Sequence, residues 1–182
     1  MLSGPVLDRL IAAVDSCPYG TSAGRTHRPR APRPLYTPEE RVRRDATPWT
    51  MVQGILAPVQ FLVFLVSLGL VLNYLATGQG LWAAEASVVV KTLVLYTIMI
   101  TGCVWERVVF GKYLFAPSFF WEDVFSMLVL ALHTAYLGAL LFGWGDTYFQ
   151  MWLALAAYAA YVINAGQFVW KLRMARFQAR DA

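Results

Sequence analysis

The stretch FFWEDVFSMLVLALHTAYLGALLF, residues 119–142, is long and apolar enough to cross a membrane. It nevertheless carries Glu122, Asp123 and His133. A charged side chain near the bilayer centre costs at least about 2.5 kcal/mol, so ionisable residues there usually face a bundle interior and mark a substrate or proton site. This segment therefore predicts a membrane span and a functional site together.

Composition extends the prediction to the whole chain. Of its 182 residues, 58% are hydrophobic and 14% are charged, which is too apolar for a soluble domain of this size. Runs of about 20 apolar residues occur four times. The sequence predicts an all-α integral membrane four-helix bundle over residues 49–172, between an N-terminal segment 1–48 and a tail 173–182. The predicted spans cover approximately residues 50–75, 86–110, 118–142 and 149–171.

The basic residues predict the orientation of the spans. Eight of the fifteen Lys and Arg residues precede Pro48, and four more follow residue 170. The connectors 78–85 and 143–148 have none, whereas Arg107 and Lys112 border the connector between the second and third spans. By the positive-inside rule both termini are expected to be cytoplasmic. This pattern explains the net charge of +4. It predicts a lipid bilayer as the partner and gives no reason to expect nucleic acid.

The N-terminal segment shows helix signals of different strength. Residues 5–16 have the spacing of a short amphipathic surface helix, with disorder as the alternative, and residues 17–35 read as a Pro- and Arg-rich flexible tether. Thr37 and Glu40 predict a capping box, and Thr47 followed by proline predicts the start of the first span. Ser118 is expected to cap the third span. The two cysteines, Cys17 and Cys103, predict neither a disulfide nor a metal site.

Each predicted span carries one polar stripe when its residues are placed about 100° apart. In the third span Glu122, Ser126, His133 and Tyr136 share a face, with Asp123 beside them. The other stripes are Gln53, Gln60 and Ser67 in the first span; Lys91, Gly102, Trp105 and Glu106 in the second; and Gln150, Asn164, Gln167 and Lys171 in the fourth. Any one of these could simply hydrogen-bond helices together. Taken together, they predict a polar central cavity.

Two groups within these stripes have specific expectations. Glu106, Glu122 and Asp123 should meet near the cytoplasmic side, with His133 about 16 Å deeper. Clustered carboxylates repel one another, so a partly dehydrated one should hold its proton near neutral pH and serve as a general acid. Helix-end stabilisation by Glu122 and Asp123 is the alternative. For Lys91, about one and a half turns inside its predicted span, snorkelling towards the opposite side is the alternative to facing the cavity.

The connector between the second and third spans is rich in aromatic residues, among them Trp105 and Trp121. Such rings gather at headgroup depth, which favours an interfacial belt. A platform that stacks a flat ligand at the mouth of the bundle is the alternative.

Three long stretches carry a resemblance to a known family. They are LYTPEERVRRDATPWTMVQGILAPVQFLVFLVSL, then VVVKTLVLYTIMITGCVWERVVFGKYLFAPSFFWEDVFSMLVLALHTAYL, and AAYAAYVINAGQF. From about residue 34 to 176 the chain resembles the 3-vinyl bacteriochlorophyllide hydratase family of bacteriochlorophyll biosynthesis. The resemblance implies a hydro-lyase of the bacterial inner or intracytoplasmic photosynthetic membrane. It would add water to the C3 vinyl group of chlorophyllide a or 3-vinyl bacteriochlorophyllide a, giving a 1-hydroxyethyl group.

Chemical roles follow as hypotheses about that reaction. Glu122 would protonate the vinyl group while Asp123 or Glu106 stays ionised, stabilises the cation and orients water. His133 would ligate the substrate's magnesium, or act as acid or base. No cofactor is implied. The residues expected to bind substrate are His133, Ser126, Tyr136, Trp105, Trp121, Arg107, Lys112, Asn164 and Gln60, with Arg44, Arg107 and Lys112 as anchors for its propionate.

The rival interpretation is a non-catalytic tetrapyrrole carrier or assembly factor, which would use the same residues for binding alone. A subunit of a haem complex is disfavoured because a bis-histidine haem needs a second intramembrane histidine beside His133. Whether the chain forms a homo-oligomer or contacts other enzymes of the bacteriochlorophyll pathway stays open.

Overall fold

The structure is a computed structural model that describes residues 35–178, with side chains described through residue 174. This part of the chain contains five α-helices and no strand. They are α1 (Pro38–Ala46), α2 (Pro48–Thr77), α3 (Leu81–Phe110), α4 (Phe120–Phe142) and α5 (Thr147–Gln178). The amphipathic helix predicted for residues 5–16 and nearly all of the tether predicted for 17–35 lie outside the described residues.

The helix signals before the first span are confirmed. The Thr37 side chain accepts from the Glu40 N–H and the Glu40 carboxylate accepts from the Thr37 N–H, which is the predicted capping box. The Thr47 hydroxyl likewise caps α2 by accepting from the Trp49 N–H. Proline follows the cap in both helices, where its missing N–H is not needed.

The prediction of four apolar helices long enough to cross a membrane is confirmed by α2 to α5. Even α4, the shortest with 23 residues, extends about 35 Å and so exceeds the roughly 30 Å of a hydrocarbon core. Gly78 and Gly143 end α2 and α4 in the left-handed conformation, at φ 70° and 66°, which lets the chain turn sharply. The connectors are therefore only residues 78–80 and 143–146.

The bundle consists of two antiparallel hairpins, α2 with α3 and α4 with α5, which meet through α2 against α5 and α3 against α4. Both tight connectors lie at one end of the bundle, here called the turn end. The opposite end, here called the α1 end, carries α1, because Arg43 donates to the Val109 carbonyl at the end of α3. Large apolar side chains cover the outer faces, including Leu62, Val66 and Leu141, as a lipid-facing surface requires.

A small aromatic core closes the α1 end. Tyr36 stacks on Phe110 with ring centroids 5.8 Å apart, and Phe119 packs against Tyr36, Trp105 and Phe168. Burial raises the pKa of the Tyr36 phenol, so this ring stays neutral under the nearby Arg44 guanidinium. The segment before α2 is thereby fixed to the second and third membrane helices.

The predicted cap of the third span is wrong. The helix begins at Phe120 with Phe119 at the cap position and no capping side chain. Ser118 lies one residue earlier, in a turn closed by the Phe119 N–H and the Ala116 carbonyl, and its hydroxyl donates to the Leu35 carbonyl at 2.9 Å. A backbone acceptor 83 residues away in sequence therefore takes the hydroxyl that local spacing assigned to the helix.

Candidate functional site

The polar stripes of all four membrane helices face the inside of the bundle. The buried polar side chains are Gln60, Ser67, Lys91, Thr92, Glu106, Glu122, Asp123, Ser126, His133, Gln150 and Asn164. Hydrocarbon offers these groups no partner, so each must be satisfied by the protein, by water or by a ligand. By depth, the groups discussed below form a carboxyl cluster at the α1 end, a middle layer and a deep cluster nearer the turn end. The carboxyl cluster is Glu106, Glu122 and Asp123; the middle layer is Gln60, Ser126 and Asn164; the deep cluster is Lys91, His133 and Tyr136.

The carboxyl cluster brings together the three acidic residues that sequence reasoning grouped. Glu122 on α4 forms an ion pair with Lys171 on α5, with Oε2 and Nζ 2.5 Å apart. The Asp123 carboxylate accepts from the Phe115 N–H at 2.6 Å. Phe115 has φ 58°, a conformation uncommon for a residue with a side chain, so this hydrogen bond also holds a strained connector. Glu122 and Asp123 thus already have partners.

Glu106 on α3 completes the cluster in a different way. Its side chain lies next to that of Asp123, and two buried carboxyl groups this close repel each other unless one of them carries a proton. Within the described part of the chain, Glu106 Oε2 has no donor. The pair therefore combines one available proton with one carboxylate, in a buried setting.

The middle layer lies between the carboxyl cluster and the deeper residues. The Asn164 amide donates to Ser126 Oγ at 2.9 Å and so joins α5 to α4. The remaining amide oxygens, Oδ1 of Asn164 and Oε1 of Gln60, have no donor among the described residues. Some polar groups of this layer thus join helices, as they often do in membrane bundles, and others have no hydrogen-bond partner among the described residues.

His133 in the deep cluster has a defined tautomer. Nδ1 lies 2.8 Å from the Val129 carbonyl oxygen, which can only accept, so Nδ1 carries the hydrogen. In the neutral ring Nε2 is then a free lone pair, and this buried atom has no partner within residues 35–174. The ring lies 5.9 Å from that of Tyr158. Such a nitrogen can ligate a metal that a substrate brings.

Lys91 and Tyr136 are the other unsatisfied members of the deep cluster. Both side chains are fully buried, and in the described region neither the Lys91 ammonium nor the Tyr136 hydroxyl has a hydrogen-bond partner. The Lys91 ammonium lies over the rings of Tyr161 and Tyr158, at 4.0 and 5.8 Å from their centroids.

The snorkelling alternative for Lys91 is wrong. Because α3 begins at Leu81 rather than near residue 86, Lys91 lies ten residues inside the helix, or about 15 Å from its start. Its side chain is fully buried in the interior of the bundle. The sequence predicts Lys91 on a polar stripe but near the end of its span, because the predicted span starts too late. Apart from two glycines, little in the sequence marks the short connector at residues 78–80.

The other expected binding residues lie at the surface or have structural partners. The Trp105 indole donates to Thr50 Oγ1 at 2.9 Å, whereas Trp121 is 67% exposed on the outer face of α4, where a belt residue would lie. Lys112 is exposed. Arg107 bonds the Gly111 carbonyl, and Arg44 pairs with Asp45 at 2.7 Å.

The fold and its interior define a class of protein: a helical protein with four helices apolar and long enough to span a membrane. Within the described part of the chain, its buried face holds a carboxyl pair, an imidazole with a free nitrogen and a cation without an anion. Among the described residues no group of three His, Cys, Asp or Glu side chains could hold a metal ion of its own. Such an interior can supply and accept protons around a bound molecule.

Comparison with known proteins identifies the family. A family model for 2-vinyl bacteriochlorophyllide hydratase matches residues 36–174. A 2-vinyl bacteriochlorophyllide hydratase of Cereibacter sphaeroides is 69% identical over 155 residues, which are 85% of this chain and 96% of that protein. One of Rhodobacter capsulatus is 70% identical over 145 residues, 80% of this chain and 84% of that protein. No solved structure matches the chain.

The chain belongs to the 2-vinyl bacteriochlorophyllide hydratase family. The hydro-lyase expected from the sequence resemblance is thereby confirmed.

The ion pair of Glu122 predicts a stability effect. Replacing Lys171 with Met should destabilise the protein by about 1–3 kcal/mol, because it leaves a buried carboxylate without its partner. Adding Glu122→Gln should recover most of that loss. Thermal unfolding in one detergent would measure both variants. A Lys171→Met protein as stable as the parent would contradict a structural ion pair.

Proposed function

We propose that this protein hydrates the vinyl group of chlorophyllide a or 3-vinyl bacteriochlorophyllide a, giving a 1-hydroxyethyl group. The observation that carries the proposal is the family match, about 70% identity to two vinyl bacteriochlorophyllide hydratases over most of the chain. The vinyl group is numbered 2 in those names and 3 here, which are two numbering schemes for one substituent. The buried carboxyl pair supports the chemistry.

The reaction needs a proton at the terminal vinyl carbon. The π electrons of the double bond form the new C–H bond, and positive charge develops on the carbon next to the ring, where the macrocycle delocalises it. Water then attacks that carbon and loses a proton to a base. The enzyme must therefore provide an acid, a base and nearby negative charge for the cation.

Glu106 and Asp123 suit these roles better than the assignment of Glu122 as the acid. Glu122 is held by Lys171, and a carboxylate in an ion pair has no proton to give. Asp123 accepts the Phe115 N–H at 2.6 Å and lies near the Lys171 ammonium, and both favour its ionised form, so the proton of the pair is assigned to Glu106. Glu106 would donate to the vinyl carbon, and Asp123 would take the proton of the water. Proton transfer between the two adjacent carboxyl groups would restore the pair.

His133 would hold the substrate through its magnesium, which belongs to the substrate. Its Nε2 lone pair is free and is fixed in direction by the bond from Nδ1 to Val129. Glu122 and His133 lie eleven residues apart on one face of α4, or about 16 Å. A macrocycle ligated at His133 could then extend its vinyl edge towards the carboxyl cluster, past Ser126 and Asn164.

The orientation and surroundings of the bundle are also proposals. The distribution of Lys and Arg supports placing the α1 end and both termini in the cytoplasm of a bacterial inner or intracytoplasmic photosynthetic membrane. Homo-oligomers, or contacts with other enzymes of the bacteriochlorophyll pathway, would form through the lipid-facing surfaces. A carrier that binds pigment without reacting is the second candidate, because the same unsatisfied groups could serve binding alone.

Catalysis predicts a specific loss at Glu106. Glu106→Gln keeps the shape of the side chain but removes its acidic proton, so kcat should fall at least roughly 100-fold. Glu39→Gln, on the exposed face of α1, is the matched control and should act like the parent. Mass spectrometry of chlorophyllide a after incubation would follow the gain of one water. Full activity of Glu106→Gln would refute the assignment, and a parent protein that binds pigment without adding water would favour the carrier.

Magnesium ligation predicts a metal-dependent affinity. The parent should bind chlorophyllide a more tightly than the same macrocycle without magnesium, by roughly 10-fold or more, and His133→Ala should lose that difference. Titrations followed by pigment absorption would measure both ligands. His133→Asn, which also removes the imidazole but keeps a polar side chain, is a second variant. A metal preference that survives both substitutions would place the ligand elsewhere.

The proposed orientation predicts which connectors are accessible. In a protein with Cys17 and Cys103 changed to Ser, a single cysteine at Gln79 should react with a membrane-impermeant maleimide applied outside spheroplasts. A cysteine at Lys112 should react only after lysis. Both positions are exposed in the structure, so they form a matched pair. The reverse labelling pattern would invert the topology.

A further inference from the structure

We propose that Lys91 and Tyr136 form a carboxylate-binding site in the deep half of the bundle, and that this site receives the propionate of the substrate. The inference rests on the proposed function for the identity of the substrate. It goes beyond that function by naming the group that the deep cluster recognises and hence the direction in which the macrocycle lies.

The first argument is the cost of burying Lys91 alone. Its side chain has no exposed surface, and within the described part of the chain its ammonium meets no hydrogen-bond acceptor. Removing a charge from water costs several kcal/mol unless a partner of opposite charge or an acceptor replaces the water. The faces of Tyr161 and Tyr158 offset only part of this, since a cation over an aromatic ring gains about 0.5–2 kcal/mol.

The second argument concerns which chemistry the site lacks. A lysine ammonium and a tyrosine hydroxyl both offer hydrogens, so Lys91 and Tyr136 together call for an acceptor with negative charge. Tyr136 lies one turn after His133 on the same face of α4. Lys91 and His133 both lie beside the Tyr158 ring, with the Lys91 ammonium 5.8 Å and the His133 ring centre 5.9 Å from its centroid. The two donors thus border the imidazole. A carboxylate, with two oxygens and one charge, meets both needs.

The third argument is the match with the substrate. A chlorophyllide is a free acid, so it combines one carboxylate on a propionate arm with one central magnesium. The deep cluster pairs a free imidazole nitrogen for the metal with two donors for the acid. The propionate would then point towards the turn end and the vinyl edge towards the carboxyl cluster.

The anchors expected from the sequence fit less well. Arg44 is paired with Asp45 and lies over Tyr36, and Arg107 bonds the Gly111 carbonyl. Lys112 is exposed to solvent, where a single ion pair contributes little. Lys91 is the buried cation that still lacks an anion among residues 35–174.

The test compares the free acid with its ester. Purified parent and Lys91→Met proteins would be titrated with chlorophyllide a and with the same pigment methylated on its propionate. The parent should prefer the free acid roughly 10- to 100-fold, because the ester removes a charged hydrogen-bond partner. Lys91→Met should bind the ester about as well as the parent does but show no preference. Lys112→Met removes the exposed cation that the sequence offered as the rival anchor, and this variant should keep the parent's preference.

Three results would overturn the inference: no preference in the parent, a preference that survives Lys91→Met, or a preference that Lys112→Met abolishes. Lys91→Gln replaces the Met variant if that protein does not accumulate. Hydration of chlorophyllide a by the parent is measured on the same preparations. If Lys91→Met abolishes the preference but the parent adds no water to chlorophyllide a, only the proposed function is refuted. If the parent adds water but Lys91→Met keeps the preference, only the carboxylate site is refuted.

Discussion

The structure depends on one constraint: polar side chains inside a membrane helix bundle cannot form hydrogen bonds with the surrounding hydrocarbon. Each therefore needs a hydrogen-bonding or ionic partner in the protein, in a bound water molecule or in a ligand. Ser67 meets this requirement by hydrogen-bonding to Tyr158 at 2.5 Å and to Ser87 at 2.7 Å, and the Asn164 NH₂ group meets it by donating to Ser126. These bonds join α2 to α3 and α5, and α4 to α5. The satisfied polar groups therefore hold the two hairpins together.

The unsatisfied groups follow a pattern that function explains better than packing. Helix association alone gives no reason to bury a lysine that has no anion, or an imidazole nitrogen that has no hydrogen-bond donor, among the described residues. A substrate with one metal and one acid supplies both missing partners. The same reasoning separates the acidic residues, since Glu122 is paired with Lys171 while Glu106 and Asp123 lie beside each other. Stability and chemistry are thus assigned to different members of one cluster.

Much of the fold and part of the candidate site could be predicted from the sequence. Apolar runs gave four membrane helices, and a spacing of 100° per residue put Glu122, Ser126, His133 and Tyr136 on one buried face. Short-range cap signals at Thr37 and Thr47 were also sufficient, because their partners lie within three residues. Family resemblance gave the reaction, which residue periodicity alone cannot do.

Contacts between distant segments could not be read in this way. Nothing local reveals that Lys171 reaches Glu122 across 49 residues, or that Ser118 serves Leu35 instead of its own helix. Lys91 was misjudged because the start of α3 was placed five residues late, which moved the side chain from the interior towards a boundary. For Lys171 and Ser118 the missing information was which distant segment lies opposite. For Lys91 it was the depth of the residue in the bundle.

The central claim is that the buried polar interior, and not a lipid-facing groove, binds the reacting pigment. A structure of the protein with bound chlorophyllide a tests it most directly. The account predicts magnesium ligated by His133 Nε2, the vinyl group beside Glu106 and the propionate at Lys91. A macrocycle lying on the outer apolar faces, with the interior polar groups untouched, would contradict it.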